Sequence, residues 1–276
     1  MKRIAVQGIA GSFHEDAARK YFDDEIDVVE CKTFTTVCEL IDTDKVDFAV
    51  MAIENSIAGS LLKNYQLIRD YHLRIIGEIY LHIQMNLLVN NGVEPADIKH
   101  IHSHPIALQQ CMEYIEKYYP DAQLHEKLDT AASAKLVAGD KLTDAAAIGN
   151  LRSAELYGLN VLETGIETNK KNYTRFLILS KHGNPTRGNN KASVCFEVGH
   201  FYGSLARVLN TFAENKINLT KIQSVPKIGK PNEYTFHVDI EWEKPENYDR
   251  AIHQVLKNAS SLSILGEYKR GELNYQ

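Results

Sequence analysis

The first part of the chain, to about residue 180, alternates short apolar runs with amphipathic stretches. This alternation restricts the possible folds more than any other feature, because it is typical of strands buried between helices. An α/β layered structure is therefore predicted. The predicted strands cover residues 4–6, 28–31, 48–53 and 75–83, and the predicted helices cover residues 13–22, 34–42 and 60–71.

Residues 182–190 interrupt the pattern with a run of Gly, Pro and Asn, which is typical of a linker. After it, strands and helices are predicted in the order βαββαβ, a small ferredoxin-like unit. Its segments are 192–198, 205–215, 217–224, 234–242, 245–257 and 261–268. The chain is thus divided into domains at residues 1–181 and 191–276.

Composition narrows the class of protein. The 276 residues carry 24% charged side chains and a formal charge of −5, and the basic residues form no block, so nucleic acid is not an expected partner. The strand-like run at residues 1–6 is too short for a signal peptide or a membrane span. The four cysteines have no metal-site spacing and are expected to be free thiols of a cytoplasmic protein, with no metal.

Residues 172–176 read Asn-Tyr-Thr-Arg-Phe and precede the apolar run 177–179. At the start of a buried strand, Thr174 could meet a leaving group and Arg175 could hold a carboxylate. In isolation, a plain strand start with one arginine reaching solvent explains the same residues.

Other polar clusters follow predicted strands. Residues 8–14 form a glycine-rich turn in which Ser12 could cap a helix and face an oxyanion, although the spacing is not that of a dinucleotide site. Glu54, Asn55 and Ser56 stand at the carboxyl end of a strand, where α/β proteins bind ligands. His104 and Thr130 each begin a predicted helix, and a capping role alone would account for both.

Together these motifs resemble the prephenate dehydratase family in its monofunctional two-domain form. The matching segments are 11–13, 53–59, 103–108, 129–131, 147–148, 157–159 and 172–176, in the family's order. The βαββαβ segment resembles the ACT domain that follows the catalytic domain in this family.

The resemblance implies a catalytic domain like the type 2 periplasmic binding proteins, with lobes at about 1–80 plus 165–181 and at 81–164. It implies conversion of prephenate to phenylpyruvate, carbon dioxide and water without a cofactor. The implied catalytic residues are Thr174, Asn55 and Ser56. The implied substrate-binding residues are Arg175, Phe176, Ser12, Glu54, Thr130 and His104.

The resemblance also implies feedback by phenylalanine in a homodimer or homotetramer. The implied effector site combines Gly203, Ser204 and Leu205 of one copy with Asn218 and Leu219 of its partner. Gln223 and Val225 replace a Glu and an Arg that are usual in the family, so altered coupling is expected.

Two alternatives stay open. An arogenate dehydratase would share the fold and chemistry, but no obvious extra carboxylate stands near Arg175 to pair with the ammonium of arogenate. A non-catalytic cytoplasmic amino-acid sensor could use both domains, but it would have no need of the Thr174 hydroxyl. A chorismate mutase fusion is not expected, because the motifs begin at residue 8.

Overall fold

The structure is a computed structural model that describes residues 1–23, 25–183, 188–227 and 229–273. These residues form two compact units. The first holds residues 1–61, 79–176 and 273, and the second holds residues 62–78 and the described residues from 177 to 272. The core of the predicted linker, residues 184–187, lies outside the described residues.

Up to residue 180 the elements follow the predicted alternation. In chain order they are β1 (Lys2–Gln7), α1 (Phe13–Phe22), β2 (Ile26–Cys31), α2 (Phe34–Asp42), β3 (Phe48–Asn55), β4 (Gly59–Ser60), α3 (Leu62–Asp70), β5 (Arg74–His82), β6 (Asn86–Val89), a 3-10 turn (Pro95–Asp97), β7 (His100–Ser103), α4 (Pro105–Gln110), α5 (Met112–Tyr118), β8 (Gln123–Glu126), α6 (Thr130–Gly139), β9 (Ala145–Gly149), α7 (Leu151–Tyr157), β10 (Asn160–Glu163) and β11 (Tyr173–Ser180).

The first sheet has the strand order β2-β1-β3-β11-β5. Its centre is apolar, since Ile4, Ala5 and Val6 of β1 are fully buried. Strands β1 and β3 run parallel, and β4 pairs with β3 in the antiparallel sense. Because β1 and β3 are parallel, the turn after β1 and Asn55 at the end of β3 lie at the same edge of the sheet.

The second sheet has the strand order β10-β6-β9-β7-β8. Strand β7 runs parallel to both β8 and β9, with Ile101 and Ile148 in the core between this sheet and its helices. The parallel pairing of β7 and β8 brings the turns after them to a common edge. His104 follows β7, and Asp129 with Thr130 follows β8.

The second unit contains the predicted βαββαβ order. Its elements are β12 (Lys191–Glu197), α8 (Ser204–Glu214), β13 (Asn218–Pro226), β14 (Tyr234–Glu241), α9 (Pro245–Asn258) and β15 (Ser261–Tyr268). The sheet order β13-β14-β12-β15 is that of a ferredoxin-like fold, which confirms the predicted arrangement. Val194 and Phe196 of β12 pack with Phe212 of α8 and Val255 of α9 in its core.

A buried charge cluster also belongs to the second unit. The Lys191 side chain is 3% exposed, and its Nζ lies 3.0 Å from Glu78 Oε1 and 3.2 Å from Glu241 Oε1. Since an unpaired buried ammonium is costly, these two carboxylates make the burial of Lys191 possible.

Some features differ from the sequence-based expectation. The short strands β6, β8 and β10 were not predicted. All four cysteines are buried free thiols, as predicted. In the described part of the chain, no helix combines the length and apolar character that membrane crossing requires.

Candidate active site

A cavity of about 350 Å³ opens in the first unit, where turns from the first and second sheets come together. The predicted site residues in its lining are Ser12, Asn55, His104, Thr130, Thr174 and Phe176. These residues are up to 164 positions apart in sequence (Ser12 to Phe176), so it is the fold that collects them.

Thr174 is held by a short chain of amide side chains. Asn55 Nδ2 donates to Thr174 Oγ1 at 2.9 Å and to Asn172 Oδ1 at 2.7 Å. Asn172 is fully buried and donates in turn to Gln110 Oε1 at 2.9 Å. Because Thr174 Oγ1 accepts from Asn55, the hydroxyl keeps its own proton for donation.

The orientation of the Asn55 amide is fixed from its other end. Asn55 Oδ1 accepts from the backbone N–H groups of Ile57 at 2.9 Å and Ala58 at 2.8 Å. Only the Nδ2 side can then face Thr174, so the turn after β3 determines which group meets the hydroxyl.

Ser56 has a different environment from Asn55. It is exposed, and its Oγ accepts from the Tyr173 N–H at 2.9 Å and donates to the Lys171 carbonyl at 2.9 Å. Ser56 is absent from the described cavity lining. These contacts fasten the end of β3 to the start of β11, and a catalytic part for Ser56 stays a prediction.

Arg175 and Glu54 lie away from the cavity lining. Side chains alternate between the two faces of a strand, so Thr174 and Phe176 share the cavity face of β11 while Arg175 occupies the other face. Arg175 is 2% exposed, and its Nη1 lies 3.5 Å from Glu54 Oε1. The sequence analysis expected Thr174 and Arg175 to meet the same ligand, although neighbouring residues of a strand face opposite sides. Substrate contact by Arg175 and Glu54 stays a prediction.

The turn at residues 8–12 has backbone N–H donors that are already bonded to other groups of the protein. The N–H of Gly8 donates to Cys31 O, that of Ala10 to Glu30 Oε1 and that of Gly11 to Glu15 Oε2, at 2.9, 2.7 and 2.6 Å. Ser12 Oγ caps α1 by accepting from Glu15 N at 3.3 Å. The predicted cap is confirmed, whereas these three backbone groups have no capacity left for an anion.

Helix α7, which follows β9 of the second sheet, holds this turn in place. Tyr157 Oη donates to the Ala10 carbonyl at 2.6 Å, and Ser153 Oγ donates to the Gly11 carbonyl at 3.0 Å. Gly11 has φ +87°, and a Cβ there would lie 3.3 Å from Ser153 Cα, so only glycine suits this close approach. The segment 157–159 of the family resemblance therefore has a positioning function.

The cavity contains two neutral histidines. His14 Nε2 accepts from the Ala52 N–H at 3.4 Å, and burial lowers the pKa of His14 to about 4. His104 Nδ1 accepts from the Ile106 N–H at 3.3 Å, and burial lowers the pKa of His104. His104 is thus an N-cap, as predicted, that also borders the cavity.

Sequence reasoning assigned no function to His14, Gln110 or Asp129, all of which line the cavity. Asp129 caps α6 by accepting from the Ala132 N–H at 2.6 Å. A capping motif explained Asp129 fully at the sequence level, and only its position opposite the turn at Gly8 reveals a second possible use. Within the described residues, no group of three or more His, Cys, Asp or Glu side chains could hold a metal ion.

The five predicted effector residues lie in the second unit, and three of them line two separate grooves. Ser204 and Leu205 line a groove of about 750 Å³, which also contains Lys227 and Glu197, paired at 2.8 Å. Asn218 lines another groove of about 700 Å³. Gly203 precedes α8 with φ +76°, and Leu219 is half-buried in β13. An effector site that combines both segments would need two copies of the chain. This shared site stays a prediction.

Comparison with known proteins identifies the family of the chain. The sequence model of the prephenate dehydratase family matches residues 4–184 of this chain. Arogenate dehydratase 2 of Petunia hybrida is 37% identical over 284 residues, which span 96% of this chain and 71% of that protein. The chain belongs to the prephenate dehydratase family, and the resemblance drawn from its motifs is confirmed.

Solved structures share the fold over both units. The prephenate dehydratase of Arthrobacter aurescens in complex with L-Phe is 29% identical with a TM-score of 0.86, and the match covers 97% of this chain and 90% of that one. GqqA, described as a novel type of quorum-quenching acylase, is 28% identical with a TM-score of 0.88 and 98% coverage of both chains. The mixed α/β fold class is therefore confirmed.

Proposed function

We propose that this protein catalyses the decarboxylating dehydration of prephenate to phenylpyruvate. The observation that carries the proposal is the Thr174 hydroxyl, which accepts from Asn55 in a cavity that Phe176 also lines. Membership of the prephenate dehydratase family supports this reaction class. Thr174 donates its hydrogen bond to the ring hydroxyl that leaves.

The lining suits a substrate that loses one carboxylate. Among the described lining residues there is no lysine or arginine. A cation held against the departing carboxylate would stabilise the reactant and oppose release of carbon dioxide. Neutral donors such as Asn55, Gln110 and Thr130 orient the substrate without this penalty. Aromatisation of the ring drives the reaction, so positioning and polarisation are the tasks left to the protein.

The same lining argues against acyl transfer. A hydroxyl nucleophile is activated by an adjacent base. The partner of Thr174 is the Nδ2 donor of Asn55, which cannot accept its proton. This arrangement favours hydrogen bonding to a leaving group over attack on an acyl carbon.

Arogenate is the second candidate substrate, because the relative from Petunia hybrida is an arogenate dehydratase. Prephenate carries a keto group in its side chain where arogenate carries an ammonium. Measuring kcat/KM for both with the purified protein tests the choice. Prephenate is expected to be preferred, and a clear preference for arogenate would replace it in the proposal. Turnover of neither substrate would leave the sensor alternative.

We further propose that the second unit is an ACT domain that binds phenylalanine and joins two copies of the chain. Support comes from its βαββαβ order, from the grooves beside Ser204 and Asn218, and from the L-Phe complex of the relative from Arthrobacter aurescens. The edge strand β13 provides backbone groups with which a second sheet could pair.

A further inference from the structure

The departing hydroxyl must receive a proton, and the cavity offers few sources. Among the described lining residues, the titratable side chains are His14, His104 and Asp129. Thr174 can relay a proton, but its hydroxyl is far too weak an acid to be the net donor. The net donor is therefore sought among these three.

The two histidines are poor candidates. Burial lowers the pKa of both, to about 4 for His14, so both rings are neutral near neutral pH. A neutral imidazole N–H donates a hydrogen bond but gives up its proton only with great difficulty. One ring nitrogen of each is also occupied by a backbone N–H.

Asp129 differs in the use of its two oxygens. Oδ1 is the cap of α6, whereas Oδ2 is buried and has no hydrogen-bond partner in the described part of the chain. Oδ2 faces the turn after β1: a Cβ placed on Gly8 would lie 3.6 Å from it. A buried carboxylate oxygen without a donor is costly, and a proton on Oδ2 lowers that cost because the group is then neutral.

We propose, on the basis of the function proposed above, that Asp129 is the acid that protonates the departing hydroxyl. As the C–C bond to the carboxylate breaks, its electron pair enters the ring and expels the hydroxyl. That oxygen takes the proton from Asp129 Oδ2 and leaves as water. The products are carbon dioxide, water and phenylpyruvate, and the Asp129 carboxylate then regains a proton from solvent.

The surrounding charges agree with this role. Burial is the largest influence and raises the pKa of Asp129. The Ala132 N–H, His104 and the Ala131 N–H act in the opposite direction, and Glu30 adds a smaller upward effect. Tyr157 also lies near enough for Asp129 to influence its pKa. A dianionic substrate adds negative charge to the cavity and raises the pKa of Asp129 again, so binding favours the protonated acid.

The variant Asp129→Asn tests the proposal. An asparagine keeps the cap, since its amide oxygen still accepts from Ala132 N, but it has no proton to give. We expect kcat to fall about 100-fold at an unchanged melting temperature. In the wild type kcat falls as pH rises through the pKa of the acid, and this alkaline decline is expected to disappear in Asp129→Asn.

Asp16→Asn is the matched control. Asp16 is also a partly buried carboxyl, with a pKa raised by burial to about 6, but it accepts from Asn150 and is not part of the described lining. This control should keep both the rate and the alkaline decline.

Four results would overturn the proposal. Asp129→Asn could keep kcat within about 3-fold of wild type, or it could lose rate yet keep the alkaline decline, which would indicate a structural part only. A rise of KM for arogenate alone would make Asp129 a partner of the ammonium. Wild-type protein that converts neither substrate would overturn the proposed function together with this inference.

Discussion

At Thr174 a single hydroxyl accepts from Asn55 and retains its proton, and the predicted function depends on this proton. Thr174→Val keeps the shape of the side chain and leaves Asn55 its bond to Asn172. We expect kcat to fall about 100-fold or more at an unchanged melting temperature. Thr174→Ser, which keeps the hydroxyl, should stay within about 10-fold of wild type. Similar rates in the valine and serine variants would show that the hydroxyl has no part in the reaction.

Arg175, in the motif at residues 172–176, has two possible roles: an ion pair that stabilises the fold, or a contact with a substrate carboxylate. Its side chain is 2% exposed and paired with Glu54. If this ion pair is its whole role, Arg175→Lys lowers the melting temperature and leaves KM unchanged. If the guanidinium instead holds a substrate carboxylate, KM will rise while the melting temperature stays constant. Thermal unfolding and steady-state kinetics on the same preparation distinguish the two.

At the scale of elements, the sequence predicts a strand more securely than the use of its side chains. The apolar run 177–179 was recognisable as part of a buried strand, which covers Tyr173–Ser180, and the motif at its start predicted a site there. Which face each residue occupies depends on the neighbouring strands, and this separates Thr174 from Arg175. Strand β8 (Gln123–Glu126) was missed because it is short and polar, and it is stabilised by pairing with β7.

Asp129 also shows that a local sequence pattern does not reveal every contact of a side chain. An Asp before an alanine-rich helix is a cap by any local criterion, and Asp129 is one. Its second oxygen meets Gly8, more than a hundred residues earlier in the chain. Long-range packing of this kind leaves no periodic or local signal in the sequence.

Strands β7 and β8 carry a group of packed histidines. The rings of His102 and His125 stack with centroids 4.5 Å apart, and His100 Nδ1 lies 3.0 Å from His125 Nε2. Burial, followed by His125, Lys127 and His100, lowers the pKa of His102 to about 4, while Asp144 acts weakly in the opposite direction. The folded state therefore binds fewer protons than the unfolded chain between about pH 4 and the ordinary pKa of histidine.

It follows that His102 stabilises the fold above its ordinary pKa and that this contribution is lost as pH falls. His102→Phe keeps a ring against His125 and cannot take up a proton. We expect the melting temperature of this variant to fall less than that of wild type between about pH 7 and about pH 5. Parallel slopes for the two proteins would show that His102 does not titrate on unfolding.

At the scale of the whole molecule, the account predicts that the second unit reports phenylalanine to the cavity. Gly203 has φ +76° at the start of α8, a conformation that a β-branched residue adopts only under strain. Calorimetric titration should show phenylalanine binding to wild type and weaker binding to Gly203→Val. Gly92→Val is the control, since Gly92 has φ +84° with an equally open surrounding, but lies in the first unit.

The coupling between effector and substrate must be reciprocal, since it is a single free energy. Phenylalanine should weaken substrate binding by the factor by which substrate weakens phenylalanine binding. Equal heats from wild type and Gly203→Val would place the ligand elsewhere, and no heat from wild type would remove phenylalanine as the effector.

The most direct test of the central claim is the stoichiometry of the reaction with prephenate. Wild-type protein is incubated with prephenate, and carbon dioxide and phenylpyruvate are measured together over time. We expect equal molar amounts of both, formed catalytically by wild type, and almost none of either from a folded Thr174→Val variant. The account would be contradicted if wild type formed neither product, or if Thr174→Val formed both as fast as wild type.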